Sequence, residues 1–239
     1  LKYFARLRQY CRYIQAISEG KMNYNLNFYI PISKNNDFQV FEVVCEMLEY
    51  VKLEYSEIYP HYYTAWSKNK AEEYINVPEK LQKHFKSKYA VCLFSSQNED
   101  VSCGYILNNM FLINGYFVLK VELPSSINMS DKENIKKYDK LFKEMILRSQ
   151  PDYAFVNTDE FRLISKEVRR GKNNYDFIFW RIYCSDDINS KAIELIKNSN
   201  IGYLDKFNNG YYYMLSEFDM EHLTDEELKF WKVGNGIII

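Results

Sequence analysis

The chain has 239 residues and a formal net charge of −1, and 47% of its residues are hydrophobic. This length and apolar content suit a globular protein with a full core and exclude a disordered chain. The near-zero net charge excludes a protein whose overall field attracts nucleic acid. No apolar run reaches the roughly 18 residues of a membrane span, and the N-terminus has no apolar stretch typical of a secretory signal.

Residues 1–25 differ from the rest of the chain in charge. They carry five basic residues against Glu19, a net +4 in a chain of net −1, so residues 26–239 have a net charge of −5. Apolar residues recur every three or four positions over 2–17, which predicts a basic amphipathic helix. We therefore expect a helical extension (1–25) followed by a single α+β domain (26–239).

The first half of this domain begins with a predicted strand at 26–33. An amphipathic helix is predicted over 37–59, with Asn36 as its N-cap and Gln39 three residues later. Pro60 follows and is predicted to end this helix. Further on, an apolar strand is predicted at 89–96. Asn-Asn and Asn-Gly pairs between the apolar runs of 101–124 then predict an antiparallel meander of three short strands.

A similar order of elements follows. Ser130 and Glu133 form a capping-box pattern for a helix over 131–149, and Pro151 then precedes a short strand at 153–157. A strand, a helix, a proline and aromatic residues thus occur twice, which predicts either a duplicated strand–helix unit or a coincidence of pattern.

The remaining patterns complete the predicted fold. They indicate strands at 175–185, 201–206 and 211–216, a helix from Thr158 or Asp159 to Val168, a helix at 185–200, and a last helix capped by Thr224 with Glu227. The predicted fold class is α+β, with a mixed or antiparallel sheet flanked by amphipathic helices.

Cysteines and histidines show no spacing typical of a metal or redox site. The five cysteines are widely separated without a CxxC pair, and the three histidines form no HxH or HExxH motif. Glycine-rich phosphate loops and the GxSxG motif are absent as well. We expect free thiols in a reducing compartment, a cytoplasmic location, and no metal or cofactor.

Three carboxylates near Pro151 support an alternative function. Asp152, Asp159 and Glu160 would supply paired carboxylates for acid–base catalysis in a hydrolase or nuclease. A structural explanation is that Asp152 supports the turn after Pro151, while the other two lie in the first turn of a helix, whose dipole favours acids.

Two charged segments indicate binding rather than catalysis. The basic cluster 166–172, together with helix 2–17, would suit an adaptor or nucleic-acid-binding protein if both formed one positive face. The segment 216–227 has six acidic residues and no lysine or arginine. It would bind a basic partner, or it is a polar loop followed by a helix N-terminus.

Several stretches between 26 and 231 carry a family resemblance. They are NFYIPI, the aromatic YPHYYTAW after the first helix, the Pro-Asp-aromatic QPDYAFVN, the strand FIFWRIY with Trp180 and Tyr183, and DKFNNGYYYMLSE. In order and spacing they resemble the immunity protein 52 family of bacterial toxin–immunity systems. The chain departs from that family at Phe179, where the family favours glycine, and residues 1–25 lie outside the likeness.

This resemblance implies a non-catalytic α+β protein that binds and neutralises a cognate toxin encoded by an adjacent gene. We expect a 1:1 complex or a homodimer, with no nucleic acid and no membrane as partner. Exposed aromatic residues supply binding energy and acids steer association. The residues predicted to bind the toxin are Tyr62, Tyr63, Trp66, Glu217, Asp219 and Glu221.

Overall fold

The computed structural model describes residues 24–31, 37–60, 62–65, 72–73, 90–94, 104–108, 115–124, 126–158 and 174–237. The predicted α+β class is confirmed, because these residues form one large antiparallel sheet and four α-helices. None of these helices combines the length and apolarity that crossing a membrane requires.

The elements follow one another in this order: β1 (Tyr24–Pro31), α1 (Asp37–Glu54), β2 (Tyr62–Ala65), β3 (Glu72–Glu73), β4 (Ala90–Phe94), β5 (Gly104–Asn108), β6 (Tyr116–Glu122), α2 (Lys132–Ser149), β7 (Tyr153–Thr158), β8 (Arg181–Ser185), α3 (Lys191–Lys197), β9 (Tyr203–Phe207), β10 (Gly210–Met214) and α4 (Asp225–Gly234). The described strands form a ten-stranded sheet in the order β3-β2-β4-β5-β6-β1-β7-β8-β10-β9.

The centre of the sheet consists of β1 between β6 and β7. Phe28 lies opposite Leu119 on one side and Ala154 on the other. Both neighbours run antiparallel to β1, so β6 and β7 are parallel to each other, and α2 is the crossover that joins them. By the same reasoning α1 joins β1 to the parallel strand β2, which lies beyond β6, β5 and β4. In both strand–helix units the helix therefore crosses over between two parallel strands. The two crossovers return to different places in the sheet, and the duplication of the unit stays a prediction.

Helices α1 and α2 cover one face of the sheet. The ring of Phe142 on α2 lies 5.4 Å from that of Phe28, and the hydroxyl of Tyr55 donates to the carbonyl of Lys137 at 3.0 Å. α2 buries a stripe with helical spacing, which removes its apolar side from water. The stripe consists of Ile135, Tyr138, Leu141, Phe142, Met145 and Ile146.

The opposite face of the sheet packs against α3 and the segment before β8. Lys197 of α3 lies over Tyr211, which alternates along β10 with Tyr212, a neighbour of α2. The rings of Phe155 and Phe179 stack with their centroids 4.0 Å apart. The core therefore extends over both faces of the sheet.

Pro60 does not end α1, so that prediction is wrong. The helix ends at Glu54, because Tyr55 adopts φ −140° and ψ 50°, outside the helical region. The buried Tyr55 instead bonds to α2, and a 3₁₀ turn at Ser56–Ile58 leads into Pro60.

The predicted cap of α2 is wrong by one residue. Asp131, in an extended conformation, accepts from the backbone N–H of Glu133 at 3.0 Å, while Ser130 precedes it. Asp is as strong an N-cap as Ser, so the sequence pattern did not separate the two. The capping box of Thr224 and Glu227 at α4 is confirmed.

Two predicted elements are shorter than expected. β8 begins at Arg181, because Asn235 at the end of α4 bonds both the N–H and the carbonyl of Ile178 and keeps that segment out of the sheet. α3 begins only after Ser190, which caps it through the N–H of Ile193.

Other predicted elements lie outside the described residues. They are helix 2–17, the middle strand of the 101–124 meander, and the helix after Thr158, which itself ends β7. The meander prediction is wrong in its strand order, because β5 and β6, which it places on either side of a middle strand, pair directly with each other.

Candidate partner-binding surface

The structure describes half of the predicted partner-binding side chains. Glu217, Asp219 and Glu221 belong to the stretch 216–227, which follows β10 and includes the first turn of α4, and which we call the acidic segment. Tyr62 and Tyr63 lie in β2, which pairs with β3 at one end of the sheet. Their side chains and Trp66 lie outside the described part of the chain, so their binding role stays a prediction.

The acidic segment presents several carboxylates to solvent. Its exposed acids are Glu217, Glu221, Asp225 and Glu226. Between the first two lies Phe218, whose side chain is 43% exposed although it is large and apolar. An aromatic ring with acids around it suits contact with a basic protein surface, because the ring contributes binding energy and the acids attract the partner.

Asp219 is not one of these exposed acids, and the prediction must be corrected for this residue. The residue is 2% exposed. The carboxylate accepts from the backbone N–H groups of Glu221 at 2.9 Å and His222 at 3.0 Å, and it caps the 3₁₀ turn Met220–His222. Asp219 therefore stabilises the segment, and sequence alone could not separate a capping acid from its solvated neighbours.

The ring of His222 also contacts the carboxylate of Asp219, with its Nδ1 2.7 Å from Oδ1. The hydrogen bond to Asp219, followed by the charge of that residue, raises the pKa of the exposed His222 above 6.5. Its protonation would reduce the net negative charge of the segment.

Buried residues hold the backbone of the acidic segment. Tyr24 accepts from the N–H of Met220 at 3.3 Å, and the indole N–H of Trp180 donates to the carbonyl of Phe218 at 2.7 Å. The ammonium group of Lys132 lies 5.0 Å from the centroid of the Phe218 ring, which shows that this ring can face a cation. Phe218 was not predicted as a site residue. The sequence feature that could have identified it is its position as a single aromatic residue among the acids of SEFDME.

Trp180 and Tyr183, which carry the family resemblance, lie in the core. Trp180 packs edge-on against Tyr24 with 5.1 Å between centroids, and Tyr183 is buried beside Phe207. Neither presents a surface to a partner.

The backbone of Asp152 is bonded to two strands of the sheet. Its N–H donates to the carbonyl of Tyr29 at 3.0 Å and its carbonyl accepts from Ser185 at 2.8 Å, so it links β1 to β8. Burial raises the pKa of Tyr116 to about 12, with further contributions from the charge of Asp152 and a hydrogen bond between the two side chains. These contacts agree with the predicted turn-supporting role.

The catalytic and nucleic-acid-binding alternatives depend largely on residues that the structure does not describe. Asp159 and Glu160 lie outside the described residues, as do helix 2–17 and cluster 166–172, so both alternatives stay predictions. Within the described ranges no three His, Cys, Asp or Glu side chains are grouped to hold a metal ion.

Cys45 and Cys184 are free thiols. Burial, followed by the charges of Asp152 and Asp186, raises the pKa of Cys184 to about 12. Burial and the neighbouring glutamates of α1 raise the pKa of Cys45 to about 11. Both thiols are therefore protonated at neutral pH and are poor nucleophiles.

Comparison with known proteins identifies a similar fold. No protein-family model matches the chain, and no curated protein has significant sequence similarity to it, so membership of the immunity protein 52 family is not confirmed. A solved structure, "Pseudomonas aeruginosa T6SS protein PA0821", superposes with a TM-score of 0.57 and 9% sequence identity. The match covers 91% of this chain and 76% of that one. At this identity the chain shares a fold with a T6SS protein.

Proposed function

We propose that the chain is a non-catalytic immunity protein that binds and neutralises a cognate bacterial toxin in the cytoplasm. The observation that carries the proposal is the acidic segment, which presents exposed carboxylates around Phe218 on a backbone held by buried residues. The shared fold with a T6SS protein supports it, since such a protein fits a setting of competition between bacteria.

The segment would act by covering a basic surface of the toxin. Glu217 and Glu221 would steer association, and Phe218 would enter an apolar depression on the partner. Because the backbone is already ordered, little conformational freedom would be lost on binding. Blocking the toxin's active site in a 1:1 complex would then suffice for neutralisation. Tyr62, Tyr63 and Trp66 are proposed as a second contact region.

The direct test is co-expression of this chain with the product of the adjacent upstream gene, followed by pull-down and a growth assay. The proposal expects a stable complex and rescued growth. If the wild-type chain neither binds nor rescues, the immunity function is wrong, and the carboxylates near Asp152 become the next place to search for activity.

Charge reversal locates the interface. Glu217→Lys with Glu221→Lys should weaken binding by roughly tenfold or more, with most of the change in the association rate at low salt. The matched control is Glu49→Lys with Glu194→Lys, which makes the same charge change at exposed positions on α1 and α3. An equal loss in the control would mean that net charge, and not this segment, determines binding.

A further inference from the structure

Arg181 occupies an unusual place at the start of β8. It is 1% exposed, and its cross-strand neighbours in the sheet are Val156 and Met214. A buried charge loses its hydration, and an apolar side chain would fill such a position at a lower free-energy cost. Packing alone therefore does not account for an arginine at this position. The groups that accept its hydrogen bonds indicate its role.

The guanidinium group connects α2 to the acidic segment. Its Nε donates to Oδ1 of Asp139 at 2.8 Å, and one terminal nitrogen donates to the carbonyl of Ser216 at 2.8 Å. The same nitrogen reaches the carbonyl of Trp180 at 3.1 Å. Asp139 is held in turn by the hydroxyl of Tyr212 and by Lys143, whose Nζ lies 3.0 Å from Oδ2.

The neighbouring residue holds the segment at a second point. The indole N–H of Trp180 donates to the carbonyl of Phe218 at 2.7 Å. The Trp180 ring also lies under the guanidinium of Arg181, with 3.8 Å between the guanidinium carbon and the ring centroid. Two consecutive residues thus bind the carbonyls on either side of Glu217.

We propose that Trp180 and Arg181, supported by Asp139, are positioning residues of the partner-binding surface. They are buried and do not touch the partner. They hold the carbonyls of Ser216 and Phe218, so that Glu217 and the Phe218 ring are ordered before binding. This inference rests on the proposed function, which it deepens by assigning the residues that shape the surface.

Two variants test the inference without depending on one another. The triple change Asp139→Leu, Arg181→Met and Tyr212→Phe replaces the polar network with apolar groups of similar volume, a change that folded proteins often accept without loss of stability. Trp180→Phe removes the indole N–H and keeps an aromatic ring in the core. The matched control is Glu57→Gln, which breaks the ion pair with Lys137 on the exposed side of α2.

The first measurement is amide hydrogen exchange in the free protein. In both variants we expect the amides of Met220, Glu221 and His222 to exchange roughly tenfold faster, because the segment has lost part of its attachment. Amides of β1 and β7 should be unchanged, and the control should match the wild type throughout. Unchanged exchange at 220–222 would overturn the positioning role.

The second measurement is affinity for the product of the adjacent upstream gene. We expect a loss of roughly tenfold in both variants, since the segment must now be ordered on binding. A purely structural role predicts wild-type affinity in any variant that folds, and that result would overturn the inference. If the wild-type chain does not bind while exchange still responds, the proposed function fails and the partner-binding half of the inference fails with it.

Discussion

Asp219 shows at the residue scale how one carboxylate can serve the fold while its neighbours face solvent. After β10 the chain forms a short 3₁₀ turn, in which the N–H of His222 donates to the backbone carbonyl of Asp219 at 3.2 Å. The side chain of Asp219 also accepts from the N–H groups of Glu221 and His222, and it contacts the His222 ring. The residue is thereby removed from the binding surface, and the charge that a partner meets is set by the exposed glutamates.

This contact makes stability depend on the protonation of His222. The folded-state pKa is raised above the ordinary 6.5, so the protonated ring stabilises the folded state. The stabilisation is fully present below about pH 6.5 and is lost as the pH rises through the raised pKa. We expect the free energy of unfolding of the wild type to exceed that of His222→Gln below about pH 6.5, and this difference to shrink as the pH rises through the raised pKa. Denaturant unfolding at several pH values measures the difference. A difference that is constant with pH would contradict the proposed interaction.

Among single elements, the β9–β10 hairpin depends on a glycine. Gly202 precedes β9 with φ +76°, a left-handed conformation that disfavours side chains. A Cβ added there would lie 2.5 Å from the carbonyl oxygen of Met214 and 2.7 Å from the hydroxyl of Tyr213. Residue 202 can lie this close to the end of β10 because it carries no side chain.

Gly115 provides a matched comparison. It has the same φ of +76°, but an added Cβ there would meet no atom of the described residues within 4 Å. We expect Gly115→Ala to lower the free energy of unfolding by about 1–2 kcal/mol through backbone strain. Gly202→Ala should lower it by roughly a further 1–3 kcal/mol through the clash. Equal effects in chemical denaturation would show that the hairpin relaxes around the methyl group.

For the whole molecule, the contact between α2 and the sheet combines apolar packing with one buried ion pair. Burial acts to raise the pKa of Asp139, but Arg181, Tyr212 and Lys143 together outweigh it and hold the pKa below the ordinary 3.8. The pair lies beside the apolar residues that join the helix to the central strands. It connects α2 to β8, and the hydroxyl of Tyr212 extends the connection to β10.

Replacing this acid should be costly. Asp139→Asn leaves the buried guanidinium of Arg181 without its counter-charge, and we expect the free energy of unfolding to fall by about 3 kcal/mol at pH 7. Because the folded-state pKa is depressed, the contribution of the acid is present above pH 3.8 and is lost as the pH falls through the folded value. The difference between the two proteins should shrink accordingly in acid.

The matched control for this change is Glu57→Gln. It breaks the pair with Lys137 on the solvent side of the same helix and should change stability by less than about 1 kcal/mol. Similar losses in both variants would mean that the buried pair contributes no more than an exposed one.

Local patterns predicted most described elements but placed several boundaries wrongly. Periodicity located α2, and the Thr224–Glu227 pattern located α4, because both signals depend on residues a few positions apart. α1 was predicted to reach Pro60, whereas Tyr55 leaves the helix to bond with Lys137, 82 positions away. β8 was predicted to begin at 175, but Asn235 holds Ile178 out of the sheet. Contacts of this range leave no local signal.

The sequence by itself determined the α+β class and the presence of an acidic stretch that leads into α4. These follow from side-chain spacing and charge, which act over a few residues. Only the tertiary structure decided that Asp219 is buried, that Phe218 is exposed, and that Trp180 and Arg181 hold the segment between them. Burial and hydrogen bonding depend on which distant strands and helices meet, and the bonds from Trp180 and Arg181 to the acidic segment join residues 38 and 35 positions apart.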